Sequence, residues 1–135
     1  MSATTAPGAP VQLVWLRRDL RPDDHPLLHD AARRGPVLPV VIVEPTPWAD
    51  PTFGARHWTF ARACLAEVDA AWRPLGAPLR VRRGDAVEAL ATLCAEAAAA
   101  GAPIGALWWA AEPGRRAAAR GAAVAAMAGA GGLAV

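Results

Sequence analysis

The order of apolar and polar residues along this chain predicts strands separated by helices. Short runs of large apolar residues, each followed by a polar or Pro-rich segment, predict strands at residues 11–16, 37–43 and 104–109. Residues 79–83, LRVRR, alternate with a period of two and predict a strand with one polar face near a sheet edge. Residues 133–135 predict the opening of a fifth strand.

The segments between the strands have helical periodicity. Apolar residues three and four apart over about 54–75 predict a long helix with one buried stripe, made of Trp58, Ala61, Leu65, Val68, Trp72 and Leu75. A weaker pattern from Pro113 to about Met127 predicts the last helix. Gly121 inside that helix costs up to about 1 kcal/mol relative to alanine.

Capping residues mark the starts of two further helices. Pro26 suits the first turn of a helix, with Asp24 or His25 as its cap. Asp85 predicts the cap of the next helix, because Glu88 follows three residues later as its capping-box partner.

Alternation of strands and helices predicts the fold class α/β. We expect a doubly wound, Rossmann-like, five-stranded parallel sheet with helices on both faces. Ligands bind such sheets outside the carboxyl ends of the strands, where strand order reverses. With the order 3-2-1-4-5, that point lies between strands one and four. The predicted cleft is walled by Arg17, Arg18 and Asp19 on one side and by Ala110, Ala111 and Glu112 on the other.

Composition narrows the possible environments and partners. The 135 residues fit one domain, and residues 1–10 predict a disordered leader without the features of a signal peptide. The net charge of +2 is too small to indicate a nucleic-acid binder. Cys64 and Cys94 lack zinc-site spacing and are predicted as buried free thiols, which fits a reducing, cytoplasmic compartment. No apolar run reaches the roughly 18 residues of a membrane span.

Catalytic motifs are missing from the sequence. Ser2 is the only serine and lies in the predicted leader, and no glycine-rich phosphate loop is found. No nucleophile stands with a candidate base, and no His, Cys or acidic residues have metal-ligand spacing. We therefore expect no metal site and no free-standing catalyst.

Residues 14–45 carry a recognisable series of motifs. An R-R-D-L-R loop follows the first strand, then come D-H-P-L, a Gly-Pro turn and a V-L-P-V strand. This stretch resembles the start of the DNA photolyase and cryptochrome family. The resemblance continues in residues 55–60, ARHWTF, and 79–85, LRVRRGD, and covers nearly the whole chain, more weakly after about residue 95.

The resemblance implies a specific role. Family members pair an N-terminal α/β domain with a larger helical domain that binds FAD. Under blue light, the bound FAD drives the splitting of pyrimidine dimers in DNA, or the protein serves in light sensing. The α/β domain is a scaffold and in many members also holds an antenna chromophore, a folate or a deazaflavin. Residues 11–135 are thus expected to be this N-terminal domain, ending before the helical FAD-binding domain. The chain alone is then not catalytic, and it reaches damaged DNA through its partner domain.

Six residues are the candidate antenna or cleft-lining positions: Arg17, Arg18, Asp19, Trp109, Ala110 and Glu112. Alanines 110 and 111 stand where some family members carry an Asn that contacts folate, so the folate contacts are incomplete. Structural roles are the alternative: a salt-bridged loop for the charged residues after the first strand, a helix cap for Glu112 and core packing for Trp109. The alternative function is a stand-alone Rossmann-like nucleotide-binding or protein-interaction module.

Overall fold

The structure, a computed structural model, describes residues 9–17, 25–43, 55–110 and 115–130. The strands are β1 (Val11–Leu16), β2 (Val37–Val43), β3 (Arg80–Arg83) and β4 (Ile104–Trp108). The helices are α1 (Pro26–Ala32), α2 (Ala55–Trp72), α3 (Ala86–Ala99) and α4 (Arg115–Ala130), and a 3-10 turn, Arg73–Leu75, follows α2. No described helix is both long enough and apolar enough to cross a membrane.

The described strands form one parallel sheet in the order β3-β2-β1-β4. This order confirms the first four positions of the predicted arrangement and places the reversal between β1 and β4. The expected five-stranded sheet has four strands in the described part of the chain, and residues 133–135, predicted as the fifth, lie outside it.

Helices cover both faces of the sheet, as predicted. On β1, Leu13 and Trp15 pack with α3 and α4, whereas Val14 and Leu16 pack with α1 and α2. All four side chains are at most 2% exposed. Burial on both faces explains why β1 is an almost continuous apolar run, because alternation would place polar groups in one of the two cores.

The end of α2 differs from the sequence prediction. A helix to residue 75 was expected, but the α-helix ends at Trp72 and a 3-10 turn follows. Pro74 lacks the amide hydrogen that would continue the helical bonding, and Gly76 closes the turn with φ of 83°. Leu75 therefore leaves the buried stripe that Val68 and Trp72 follow, and it is 52% exposed.

Two helix starts agree with the sequence. His25 caps α1, its Nδ1 accepting a hydrogen bond of 3.3 Å from the Leu28 amide. Asp85 caps α3, its Oδ1 accepting one of 3.1 Å from the Glu88 amide. The two cysteines were expected to be buried and are instead only half-buried, because α2 and α3 are surface helices of the two layers.

Candidate functional site

The carboxyl ends of β1 and β4 meet where strand order reverses. These strands are hydrogen-bonded neighbours, with Val14 opposite Trp108. Arg17 is the first residue after β1, and Trp109 and Ala110 are the first two after β4. All three are half-buried, so each keeps part of its surface open at this edge.

Trp15 forms the floor beneath these residues. Its side chain is 2% exposed, and its ring centroid lies 6.0 Å from that of Trp109, with the planes tilted by 55°. The guanidinium carbon of Arg17 lies over the same ring, 4.7 Å from its centroid. This separation falls within the range of cation–π attraction, so Trp15 holds the charged group against the top of the core.

A glycine of α4 faces the same group. A Cβ atom at Gly121 would lie 3.4 Å from the Trp109 Nε1 and 3.7 Å from the Arg17 Nη1. Both side chains therefore rest directly against the backbone of the helix. From the sequence, Gly121 was noted only because glycine lowers the stability of a helix. A glycine inside a helix can also indicate close packing against that helix.

Arginine dominates the charge at this edge. Arg17 and Arg120 are both half-buried, with their Nε atoms inside the protein. The charged residues of β1, β4 and α4, and of the described residues directly after the two strands, are arginines. Guanidinium groups are well suited to contact anionic groups.

The predicted site residues divide into two groups. Arg17 and Trp109 come together beside the Trp15 ring, as expected from the strand order, and Ala110 follows Trp109 after β4. Arg18, Asp19 and Glu112, together with Ala111, lie outside the described residues. Within the described part of the chain, no three His, Cys, Asp or Glu side chains are placed to hold a metal ion.

Trp108 lies on the opposite face of β4 and takes no part in this site. Its Nε1 donates a hydrogen bond of 2.8 Å to the Gln12 Oε1, and the guanidinium of Arg34 lies 5.7 Å from its ring centroid. Sequence analysis gave no role to Gln12, which is 3% exposed. The signal was present, because Gln12 is the only polar residue in the otherwise apolar run of β1.

The described side chains at this edge are an indole, a guanidinium and a methyl group: Trp109 and Arg17 both lie beside the Trp15 ring, and Ala110 follows Trp109 in the chain. Indole and guanidinium groups are common in sites for flat ring systems and for anionic groups. The location agrees with the general position of ligands in doubly wound sheets. The fold and this edge thus define a class: a doubly wound α/β domain whose candidate ligand site lies at the β1/β4 switch point.

Comparison with known proteins gives the family. The sequence pattern described as DNA photolyase matches residues 12–135. The chain belongs to the DNA photolyase family.

Individual relatives come from both branches of this family. The chain is 37% identical over 100 residues to the deoxyribodipyrimidine photo-lyase of Agrobacterium fabrum, covering 73% of this chain and 19% of that protein. It is 36% identical over 85 residues to Cryptochrome-1 of Arabidopsis thaliana, covering 58% of this chain and 12% of that protein. Cryptochrome DASH of Natronomonas pharaonis is 36% identical over 78 residues, covering 53% of this chain and 16% of that protein. The chain therefore spans less than a fifth of each of these relatives.

A solved structure shares the fold. The crystal structure of an archaeal photolyase from Sulfolobus tokodaii superimposes with a TM-score of 0.78 at 21% identity. The match covers 92% of this chain and 28% of that one.

Proposed function

We propose that this chain serves as the α/β domain of a photolyase- or cryptochrome-type flavoprotein and holds a light-harvesting chromophore at the β1/β4 edge. The observation that carries the proposal is the meeting of Arg17 and Trp109 where strand order reverses. The similarity to the Sulfolobus tokodaii photolyase supports it, because that protein is described with two FAD molecules and the implication of a novel light-harvesting cofactor.

Each described residue of the edge has a binding role in this proposal. Trp109 stacks on the ring of the chromophore, and Arg17, held in place by Trp15, orients its polar part. Ala110 leaves space next to the ring. When bound, the chromophore absorbs light and passes the excitation energy to a second flavin.

The light-driven chemistry itself belongs to a helical partner domain in this proposal. The described residues at the edge are an arginine, an indole and an alanine, which provide binding surface but no general acid or base. The α/β domain then serves as scaffold and light collector, and contact with FAD and damaged DNA is made by the partner.

We expect a flavin or deazaflavin rather than a folate as the chromophore. Ala110 and Ala111 stand where some family members carry an Asn that contacts folate, so one polar contact to that ring is absent. An indole and a guanidinium suit the flat isoalloxazine system without that amide.

Titration of the purified chain with flavin mononucleotide, a deazaflavin and a reduced folate tests the proposal. Binding is followed by quenching of tryptophan emission. Trp109→Leu should weaken flavin binding about tenfold, because a stacked ring is lost. Trp108→Leu is the matched control: it removes the neighbouring half-buried tryptophan from the opposite face and should leave the affinity unchanged. Equal affinity in the wild type and the Trp109→Leu variant would contradict the proposed site. Binding of adenine nucleotides without any flavin would favour a nucleotide-binding module instead.

A further inference from the structure

We propose that the outer edge of β3 is a docking site for an extended, acidic segment of another protein, which adds to the sheet as a further strand. β3 is the last strand on its side of the described sheet, so its outer side has no neighbour among the described strands. This inference does not depend on the chromophore site, because β2 separates β3 from β1.

The backbone of β3 directs hydrogen-bonding groups to its outer side. In a strand, the amide and carbonyl groups of successive residues point alternately to the two sides. The Gly84 amide donates a hydrogen bond of 3.0 Å to the Val43 carbonyl of β2, so the amides of Arg80 and Arg82 point toward β2 as well. The amide and carbonyl groups of Val81 and Arg83 therefore point away from the sheet. Strand addition uses such groups.

A carboxylate already occupies the chain directly before this edge. The Leu79 amide donates a hydrogen bond of 2.9 Å to the Asp69 Oδ1 of α2. The outward amides that are open to a partner therefore begin at Val81, and they follow an amide that a carboxylate already satisfies.

The charge of β3 determines the kind of partner. Its sequence is RVRR, and Arg80 and Arg83 are exposed. The Arg82 Nη2 lies 2.9 Å from the Glu96 Oε2 of α3, whereas in the described part of the chain no acid pairs with Arg80 or Arg83. A second copy of the chain would place arginine against arginine, which disfavours pairing of two β3 edges. An acidic segment places opposite charges across the new strand pair, so it is the complementary occupant.

Val81 adds an apolar contact between these charges. Its side chain lies on the same face of the sheet as its partner Val41, which packs in the core with α1 and α2. Val41 is buried, whereas Val81 is 52% exposed. A valine opposite Val81 would bury apolar surface on both strands. The segment that fits this edge therefore alternates acidic and β-branched residues.

A short fluorescent peptide of alternating glutamate and valine is the probe, and its binding to the full chain is followed by fluorescence anisotropy. We expect it to bind about tenfold more tightly than the same peptide with lysine in place of glutamate, and this preference should shrink as salt is added. A peptide with every amide N-methylated keeps the charges but lacks the donors, and it should bind about tenfold more weakly than the parent. If the acidic peptide binds no better than the basic or the N-methylated one, the proposal is overturned.

Variants of the chain assign the binding to β3. Arg83→Glu reverses an exposed charge and should reduce the affinity for the acidic peptide about tenfold. Arg33→Glu, at an exposed arginine that ends α1, is the matched control and should leave the affinity nearly unchanged. Equal losses in the two variants would mean that the peptide responds to the net charge of the chain, which overturns the assignment to β3.

Val81→Pro tests the backbone contact separately from the charge. It removes one outward amide and leaves the groups that point toward β2 in place, so it should weaken peptide binding about fivefold. Circular dichroism and the thermal midpoint of each variant establish that the chain is folded. A folded Val81→Pro variant with wild-type affinity would show that the peptide does not add as a strand.

Backbone NMR signals of the wild-type chain locate the bound peptide. The amide signals of Val81 and Arg83 should shift and their amides should exchange more slowly with solvent, whereas those of the central strand β1 should stay in place. Shifts confined to β4, the strand at the other end of the described sheet, would place the peptide elsewhere and overturn the proposal.

Discussion

The two ends of the parallel sheet are closed in different ways. At the amino end, two glycines lie under the backbone and ring of Pro10. At the carboxyl end, one glycine of α4 lies under the side chains of Trp109 and Arg17. Displacing backbone costs more than displacing the end of a side chain. The amino end is therefore the more rigidly closed end of the core, and the carboxyl end is the more adjustable one.

A small polar network connects the segments at the amino end of the sheet. The Gln12 Nε2 donates a hydrogen bond of 3.0 Å to the Pro10 carbonyl, and its Oε1 accepts one from Trp108. A Cβ atom at Gly35 would fall on the same Pro10 carbonyl oxygen, and one at Gly105 would fall on the proline ring. One buried amide thus joins the chain before β1 to the neighbouring strand β4.

Replacing Gly35 with alanine should have the largest effect on stability. The new methyl group would overlap the Pro10 carbonyl, so the segment before β1 must move and the Gln12 bond must break. We expect a loss of roughly 2–4 kcal/mol in the free energy of unfolding. Urea denaturation measures it, with Gly129→Ala on the exposed end of α4 as control, because nothing lies within 4 Å of a Cβ there. If Gly35→Ala has the same free energy of unfolding as the wild type, the Pro10 backbone does not close the amino end of the sheet tightly.

Removing the buried amide should have the next largest effect. Gln12→Leu leaves the Trp108 indole without its acceptor, and we expect a loss of about 1–3 kcal/mol in the free energy of unfolding. Trp108→Phe removes the donor, and the double variant completes a cycle. The coupling between the two positions should be clearly non-zero. If the losses in the free energy of unfolding of the two single variants simply add in the double variant, the hydrogen bond between Gln12 and Trp108 does not contribute to stability.

Much of this fold was predictable from sequence because β1 and β2 are buried on both faces. Their apolar runs gave the strand limits that the structure shows, and Asp85 gave the start of α3. Contacts between distant segments were not predictable. Gln12 meets Trp108 across 96 residues, and Gly121 meets Trp109 and Arg17 only after α4 has docked. Local sequence patterns carry no information about such pairs. The predicted strand order therefore indicated which edge of the sheet carries the candidate site, but the role of Trp15 beneath it was missed.

The carboxyl end should tolerate a small side chain. Gly121→Ala places a methyl group at ordinary contact distance from Trp109 and removes the helical cost of glycine, so stability should rise by up to about 1 kcal/mol. Gly121→Leu should instead push Trp109 and Arg17 out of place and lower both stability and flavin affinity. Thermal unfolding and the flavin titration measure the pair. A destabilised Gly121→Ala variant would show that this end is as rigidly closed as the other.

Low pH should have the smallest effect on stability, because the described contacts at both ends of the sheet are made by amide, indole and guanidinium groups and involve no carboxylate. It therefore tests a different part of the molecule. Asp69, on α2, accepts hydrogen bonds from the Leu79 amide, at 2.9 Å, and from Arg73. These bonds hold the pKa of Asp69 below its ordinary value of 3.8, the Leu79 amide contributing most. The stabilisation they provide is present above that ordinary value and is lost as pH falls through the lowered pKa.

Asp69→Asn should therefore flatten part of the acid limb of the stability curve while leaving flavin binding at neutral pH unchanged. Urea denaturation from pH 7 down to pH 2 measures it, with Asp30→Asn on α1 as the matched carboxylate control. An identical acid limb in Asp69→Asn and the wild type would show that the link between α2 and the approach to β3 does not depend on this carboxylate.

The most direct test of the central claim follows the indole N–H signals of the six tryptophans by NMR while flavin mononucleotide is added to the wild-type chain. Trp109→Leu and Trp108→Leu assign the two signals of interest. A ligand at the β1/β4 edge should shift the Trp109 signal strongly and leave the Trp108 signal, on the opposite face, in place. If the ligand shifts only the Trp108 signal, or if the Trp109 signal stays unchanged at saturating flavin mononucleotide, the ligand site does not lie at this edge.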